Sequence, residues 1–98
     1  MIYLIFYDIT TDSIRTKIAK TLIEGGYERL QFSVFTGLEA PYENENYWKK
    51  LQNILSDEKE AKFYVIPISK KNFRKLKKIG IFELDMDYLT GDKRSLTF

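Results

Sequence analysis

The apolar positions of the chain change their spacing several times, and each change predicts a new element. Residues 2–7 are a continuous run of β-branched and aromatic side chains, which is typical of a strand covered on most of both faces. Apolar residues then recur every four positions at Ile14, Ile18 and Leu22, which predicts an amphipathic helix. The pair Gly25-Gly26 follows, where a left-handed C-cap is expected to end that helix.

Further along the chain, the pattern predicts paired strands, a second helix and another strand. The apolar period falls to two between Glu28 and Leu38, and a bulge or bend near Ser33 is expected to split this long stretch. Residues 47–55 predict an amphipathic helix, and residues 63–68 predict a strand whose proline indicates an edge or a bulge. The order favours a ferredoxin-like α+β sandwich, with both helices on one face of an antiparallel sheet.

The end of the chain predicts a short helix and a further strand. Ser69 is placed to cap a helix that carries Phe73 and Leu76 and ends at Gly80. Beyond it, the tail contains five candidate strand residues, Ile81, Phe82, Leu84, Met86 and Tyr88. The sequence therefore predicts a core domain over residues 1–80, and an extra C-terminal strand within the tail 81–98.

Two residue types are missing from the chain, and their absence restricts its chemistry. The sequence has no cysteine, which excludes disulfides, thiolate metal sites and thiol nucleophiles and favours a reducing, cytoplasmic environment. It has no histidine, which excludes Ser-His-Asp and Cys-His catalysis. If the protein hydrolyses a substrate, a carboxylate, a lysine or a hard metal ion must activate the water.

The remaining composition is that of an ordinary globular domain. Hydrophobic residues make up 44% of the chain and charged residues 31%, so neither a disordered nor a membrane protein is expected. The apolar opening, residues 1–7, is far shorter than the roughly 20 residues of a membrane span and does not resemble a signal peptide. The net charge of +2 is too small to indicate a nucleic-acid partner by itself.

Asp8 is the first candidate for chemistry. It ends the first apolar strand just before a loop that leads into a helix, a place where α/β-type folds often position ligands. Its carboxylate can bind a hard cation such as Mg²⁺, although one carboxylate is a weak site unless a second copy faces it across a two-fold axis. The alternative interpretation is that Asp8 caps the following turn through its side chain.

Basic residues supply candidates for phosphate binding. Arg15 and Lys17 lie on the first predicted helix, and Arg29 begins the alternating strand; the alternative is a solvated face with a salt bridge to a nearby glutamate. The segment 70–78, which contains no acidic residue, is the stronger candidate, although it is also compatible with a solvated helix face. Its cations are Lys70, Lys71, Arg74, Lys75, Lys77 and Lys78.

Two aromatic residues next to these candidates have more than one interpretation. Phe35 is predicted to face away from Leu30, Phe32 and Val34, where it can form a dimer contact or stack on a base. Packing in a core or an interface is the simpler interpretation of Phe35. Tyr7, beside Asp8, has the same alternatives, and core packing is again the simpler one.

Taken together, these residues resemble the Cas2 family of CRISPR-associated proteins. The resemblance rests on Tyr7-Asp8-Ile9 at the strand end, on Arg15 and Lys17, on Gly26, and above all on the run from Arg29 to Phe35. Residues 63–68 and the basic segment up to Gly80 also resemble that family, so the resemblance covers roughly residues 1–80. The tail from Ile81 onward has no closely matching motif.

The resemblance implies more than the spacing does. It implies a homodimer whose C-terminal strand packs on the partner protomer, with the two Asp8 side chains near the dimer axis holding one Mg²⁺. It implies that Arg15, Arg29 and Phe35 take part in activity or nucleic-acid contact and that Tyr7 neighbours the metal ligand. Lys17 stands where the family often has arginine, and a lysine lacks the planar fork that makes a bidentate phosphate contact.

Two functions from different classes remain open after this comparison. In the first, the dimer is a magnesium-dependent endonuclease that cleaves RNA or DNA and takes part in spacer acquisition and antiviral defence. In the second, the dimer is a non-catalytic scaffold that binds duplex DNA and bridges the CRISPR integrase, and Asp8 performs no chemistry. A small-molecule regulatory module is less favoured, because no glycine-rich pocket motif is visible.

Overall fold

The computed structural model describes residues 1–77 and 86–91. Over these residues the chain forms four strands, a 3-10 turn at Pro41–Glu43 and four α-helices. In chain order the strands and α-helices are β1 (Ile2–Asp8), α1 (Asp12–Glu24), β2 (Glu28–Gln31), β3 (Val34–Gly37), α2 (Glu45–Leu55), β4 (Lys62–Ile68), α3 (Lys70–Phe73) and α4 (Met86–Leu89). The described strands form one antiparallel sheet in the order β2-β3-β1-β4, as the ferredoxin-like prediction requires.

The core lies between one face of this sheet and helices α1 and α2. In β1, Ile5 pairs with Phe35 of β3 and with Val65 of β4, so their side chains share a face of the sheet. Ile18 and Leu22 of α1 are fully buried against this face, and Phe35 is itself 0% exposed. The apolar spacing that predicted α1 is therefore the spacing that builds the core.

Tyr47 joins the two helices at the end of α1. Its hydroxyl donates a hydrogen bond of 2.8 Å to the carbonyl of Thr21, and burial raises the pKa of this hydroxyl to about 12. The ring occupies the space that a Cβ atom on Gly25 would need. Gly26 has a φ of 93°, so the predicted left-handed residue at the helix end is confirmed.

The opposite face of the sheet is only partly covered. At one end, Ile2 packs with Phe73 and Leu89 in a second, smaller core. Towards the other end, Tyr64 and Ile66 are 46% and 41% exposed, although both belong to β4. We call this the open face; Leu4, Phe6, Val34, Tyr64 and Ile66 form it.

The structure refines two predictions about the strands. The stretch from Glu28 is split by a two-residue turn at Phe32-Ser33, and the ladder has a bulge between Arg29 and Gln31. The split near Ser33 is therefore confirmed, and it produces a hairpin. Pro67 lies in β4, which is an edge strand, as predicted.

The prediction for the tail is wrong where the structure describes it. Met86 and Tyr88 were expected in a strand, but Met86–Leu89 forms a helical turn in which the amide of Thr90 donates to the carbonyl of Met86. Leu89 is buried against Phe73 and Ile2, which stabilises the helix on its own protomer. The predicted helix is also shorter than expected, because α3 ends at Phe73 and Leu76 lies outside it. Gly80 and the other strand candidates of the tail, Ile81, Phe82 and Leu84, lie outside the described residues.

Candidate active site and nucleic-acid interface

A groove of about 830 Å³ lies between the end of β1, the outer side of α1 and the turn of the β2–β3 hairpin. It brings together three of the predicted site residues, Asp8, Arg15 and Arg29. Lys20 and Glu24 of α1 and the aromatic ring of Phe32 also line it. The groove therefore combines cations, carboxylates and apolar surface in a volume of the size that ligand sites occupy.

Asp8 is exposed at the last position of β1. Because side chains alternate along a strand, Asp8 follows Tyr7 onto the opposite face, the open face of the sheet. Its partner in the ladder is Lys62, at the start of β4. Within the part of the chain that the structure describes, the Asp8 carboxylate forms no hydrogen bond or ion pair, which argues against the turn-capping interpretation.

Arg15 holds the loop that follows Asp8. Its guanidinium forms an ion pair with Asp12 and donates a hydrogen bond of 3.4 Å to the carbonyl of Ile9. The side chain is still 48% exposed and lines the groove. Arg15 therefore forms a salt bridge, although with Asp12 and not with the expected glutamate, and it also lines the groove.

Arg29 and Tyr7 hold the hairpin turn from two sides. The carbonyl of Phe32 accepts hydrogen bonds from Nη2 and Nε of Arg29, at 2.8 and 3.3 Å, and from the hydroxyl of Tyr7, at 3.1 Å. The amide of Tyr7 also donates to the carbonyl of Ser33, at 3.1 Å. Burial raises the pKa of the Tyr7 hydroxyl, while Arg29 and Arg15 oppose the rise, so Tyr7 acts here as a donor.

Phe35 and Tyr7 both belong to the core of the protomer. Phe35 is 0% exposed and Tyr7 is 5% exposed, and their rings stack with centroids 6.2 Å apart. The simpler interpretation, core packing, is therefore the one the structure supports. The alternatives that need an accessible Phe35 ring, a dimer contact or base stacking, are wrong. The guanidinium of Arg29 covers this ring, with Cζ 5.3 Å from its centroid.

Sequence reasoning missed two features near the groove: Glu58, which holds the loop after Asp8 but does not line the groove, and the exposed ring of Phe32. Glu58 accepts hydrogen bonds from the hydroxyl of Thr10, at 2.8 Å, and from the amide of Thr11, at 3.4 Å, and the bond from Thr10 lowers the pKa of Glu58. Its contacts span 47 and 48 residues, and no local pattern signals them. Phe32 was assigned to a strand face but lies in the turn and is 86% exposed.

The remaining predicted cations lie away from the groove. Lys17 is exposed on α1 but does not line the groove. Ser69 caps α3 by accepting from the amide of Asn72, and Phe73 is buried, as predicted. The exposed cations of this basic segment are Lys70, Lys71, Arg74, Lys75 and Lys77, while Lys78 lies outside the described residues.

The basic segment and Asp8 lie at opposite ends of β1. The segment follows Ile68, which pairs with Ile2, whereas Asp8 pairs with Lys62 at the far end of the same ladder. Six steps along a strand at about 3.3 Å each separate the two places by roughly 20 Å. The candidate cations therefore form two surfaces in one protomer.

One chain offers few carboxylates to a divalent metal in the groove. Over residues 1–77 and 86–91, no three acidic side chains come together, and Asp8 and Glu24 are the only acidic residues that line the groove. Mg²⁺ is typically held by one or two carboxylates together with several waters. Two Asp8 carboxylates that face each other would match that requirement, so the residues fit the metal when two chains are present.

No helix within the described ranges has both the length and the apolar character needed to cross a membrane.

The fold and the groove define a ferredoxin-like protein with a carboxylate at the end of its first strand, arginines beside it and a separate basic segment. The chain belongs to the family of the CRISPR-associated protein Cas2, whose profile matches residues 1–76.

Named relatives and solved structures agree with this assignment. The "CRISPR-associated endoribonuclease Cas2 1" of Archaeoglobus fulgidus is 31% identical over 71 residues, which are 72% of this chain and 74% of the relative. The "CRISPR-associated endoribonuclease Cas2" of Desulforudis audaxviator is 28% identical over 78 residues, 80% of this chain and 73% of the relative. The crystal structure of Streptococcus pyogenes Cas2 superposes with a TM-score of 0.66 at 27% identity, covering 82% of this chain and all of that one.

A further similarity is to a chain in a larger assembly. A structure described as a partial Cas6-RT-Cas1–Cas2 complex contains a chain that is 25% identical, with a TM-score of 0.56. The alignment covers 80% of this chain and 83% of that chain. The ferredoxin-like interpretation of the sequence is confirmed by these structural similarities.

Proposed function

We propose that this protein is a magnesium-dependent endoribonuclease that acts as a homodimer in spacer acquisition and antiviral defence. The observation that carries the proposal is the groove at the end of β1, where Asp8 lies beside Arg15 and Arg29. A carboxylate for a hard metal and arginines for phosphate are the groups that phosphodiester hydrolysis requires in a chain without histidine. The curated relatives carry the name endoribonuclease, which supports the same reaction.

The open face supports the dimer on which this proposal depends. Phe6 and Tyr64 stack there with ring centroids 4.8 Å apart, and Tyr64 and Ile66 remain more than 40% exposed. A second copy packed on this face would remove the apolar surface from water, which is favourable. Asp8 lies on the same face by strand alternation, so an isologous contact would bring two Asp8 carboxylates towards the axis.

Each group has a distinct role in the proposed reaction. The two Asp8 carboxylates would hold a divalent cation, which would supply a water of lowered pKa and neutralise charge on the phosphoryl group. Arg15 and Arg29 hold the phosphate next to the scissile bond in place, through guanidinium N–H groups not engaged with Asp12, Ile9 or Phe32. Tyr7 keeps the hairpin turn at the edge of the groove through its protonated hydroxyl.

The proposal is tested with the wild-type protein and a labelled single-stranded RNA. We expect cleavage in Mg²⁺, complete loss of cleavage in excess EDTA, and recovery when Mg²⁺ is restored. Cleavage at the same rate in EDTA would exclude the metal and with it the role of Asp8. A mock purification of the host without the expressed gene controls for a contaminating ribonuclease.

A second function is favoured by the basic segment. Its exposed cations lie about 20 Å from Asp8 along β1, too far to act on the same phosphate. In this alternative the dimer is a scaffold that binds duplex DNA through the segment and bridges the CRISPR integrase. Similarity to a chain within a complex that contains Cas1 supports such a partner. The two functions use different surfaces and are not exclusive.

A further inference from the structure

The tip of the β2–β3 hairpin presents an aromatic ring to solvent. Phe32 is 86% exposed, more than any other large apolar side chain over the described residues; Met1 follows at 59% and Ile23 at 53%. Single exposed apolar residues are common on protein surfaces and need no explanation by themselves. Phe32 differs because its backbone is held rigidly and because it borders the groove that contains Asp8.

Hydrogen bonds from beneath hold the backbone that carries the ring. Three donors from two side chains, Arg29 and Tyr7, converge on the carbonyl of Phe32, and the amide of Tyr7 holds the next carbonyl, that of Ser33. Tyr7 and the strand that carries it belong to the core, so these hydrogen bonds anchor the turn to the core. Because the backbone of the turn is already held, only the side-chain torsions of Phe32 have to be ordered when a ligand binds to the ring.

The guanidinium of Arg29 lies between two rings. Its Cζ is 5.6 Å from the centroid of Phe32 and 5.3 Å from that of Phe35, within the range of cation–π contact. Because Phe35 is fully buried, the stack runs from the core through Arg29 to Phe32 at the surface. The large exposed area of Phe32 leaves a ring surface available beyond the cation.

We propose that Phe32 is a stacking platform for an unpaired base of single-stranded RNA, and that Arg29 and Tyr7 position it. This inference rests on the proposed ribonuclease function and adds to it a residue that contacts the substrate. A flat aromatic surface beside arginines is how proteins bind bases that are not paired, whereas the bases of a duplex are already stacked on one another. The cations lining the same groove, Arg15, Lys20 and Arg29, are complementary to the phosphates on either side of that base.

A protein partner is the competing occupant of the exposed ring. The groove does not have the composition of a protein docking surface, because the interior of such a surface is depleted of charge. Here Asp8, Arg15, Lys20, Glu24 and Arg29 all line the same groove as Phe32. The charged surroundings favour a nucleotide, whose base and phosphate need both kinds of contact.

Binding is measured with a labelled 12-nucleotide single-stranded RNA in an Asp8→Asn background, so that the probe is not cut. We expect Phe32→Ala and Phe32→Leu to weaken binding by roughly 5- to 100-fold, the range for removing one stacked base, and Phe32→Tyr to stay within about 3-fold. Affinity for a double-stranded RNA of the same length should not change. Tyr42→Ala is the matched control, because Tyr42 is a 45% exposed aromatic outside the groove lining.

A second readout reports stacking directly. In a Trp48→Phe background, Phe32→Trp places the only tryptophan at the turn, and we expect single-stranded RNA to quench its fluorescence. Unchanged affinity in Phe32→Ala, retained affinity in Phe32→Leu, or no quenching would each overturn the platform. An equal loss for double-stranded RNA would also overturn it. A loss confined to binding of a Cas1 protein would assign the ring to a protein contact instead.

The outcomes separate this inference from the ribonuclease proposal. If RNA binding depends on Phe32 but wild-type protein cuts no RNA in Mg²⁺, the platform is correct and the nuclease proposal fails. If wild-type protein cuts RNA and Phe32→Ala binds and cuts it equally well, the nuclease proposal stands and the platform is wrong. Because Phe32 is so exposed, the melting temperature of each variant should match that of the wild type.

Discussion

Asp8→Asn is expected to lower magnesium-dependent RNA cleavage by roughly a hundredfold or more, since loss of a metal ligand exceeds the 10- to 100-fold typical of outer-shell changes. The asparagine keeps the size of the side chain but removes the negative charge that attracts the cation. Since the Asp8 side chain is exposed and forms no hydrogen bond or ion pair among the described residues, the fold should be unaffected. Cleavage is measured under single-turnover conditions, and the dimer by sedimentation.

Asp57→Asn is the matched control for this variant. Asp57 is an exposed aspartate in the loop after α2, outside the groove lining, and its substitution should leave cleavage unchanged. Full nuclease activity in Asp8→Asn would contradict the catalytic assignment and favour the scaffold. A monodisperse monomer at micromolar concentration, in the wild type or the variant, would contradict both functions, because each needs the two-fold axis.

Replacing the described cations of the basic segment by alanine should weaken duplex DNA binding and flatten its salt dependence. The slope of log K against log salt should fall by about 0.9 for each phosphate contact that is lost. The variant changes Lys70, Lys71, Arg74, Lys75 and Lys77. The measurement is a set of binding isotherms between low and moderate salt.

Arg74 needs separate treatment in this experiment. Its guanidinium donates a hydrogen bond of 3.2 Å to the hydroxyl of Thr90, so its loss can also disturb α4. A four-lysine variant that retains Arg74 therefore tests the charge alone. The control is a triple variant that removes exposed cations from α2 and from the loop after it, namely Lys49→Ala, Lys50→Ala and Lys59→Ala. An unchanged slope in the four-lysine variant would remove the basic segment from the DNA interface.

The central strands and helices could be predicted because their patterns are local and strong. The four-residue spacing of Ile14, Ile18 and Leu22 specifies both α1 and the face it buries. The alternation around Phe35 correctly separates it from Leu30 and Val34, although the sequence alone does not decide what covers its ring. Strand β1 is apolar on both faces: helices α1 and α2 cover one face, and on the other Ile2 packs with Phe73 and Leu89.

A break near Ser33 could be predicted, but the tight turn and the exposure of Phe32 could not, because the turn lacks the usual signal. Two-residue hairpin turns favour glycine or asparagine, which accept a positive φ. The turn here is Phe32-Ser33, and over the described residues no residue other than glycine has a positive φ. The bulge between Arg29 and Gln31 and hydrogen bonds from distant Tyr7 stabilise the turn instead. Such contacts depend on the tertiary fold.

In the tail, the local pattern predicted the wrong element because tertiary packing decided the structure. Met86 and Tyr88 alternate with aspartates as strand residues do, yet the segment forms a helical turn. Leu89 finds a buried position against Phe73 and Ile2, and this packing outweighs the weak strand pattern of a short segment. Asp8, in contrast, was identified from its place at the end of an apolar strand, which the structure retains.

The stoichiometry of metal binding tests the shared Asp8 site most directly. Mn²⁺ is titrated into the wild-type protein and into Asp8→Asn, at a protein concentration where the dimer persists. The paramagnetic signal of the ion measures how much of it remains free. We predict one ion bound for every two wild-type chains and no comparable binding in Asp8→Asn. One ion bound to each chain, or the same binding in Asp8→Asn, would contradict a metal held between two Asp8 carboxylates.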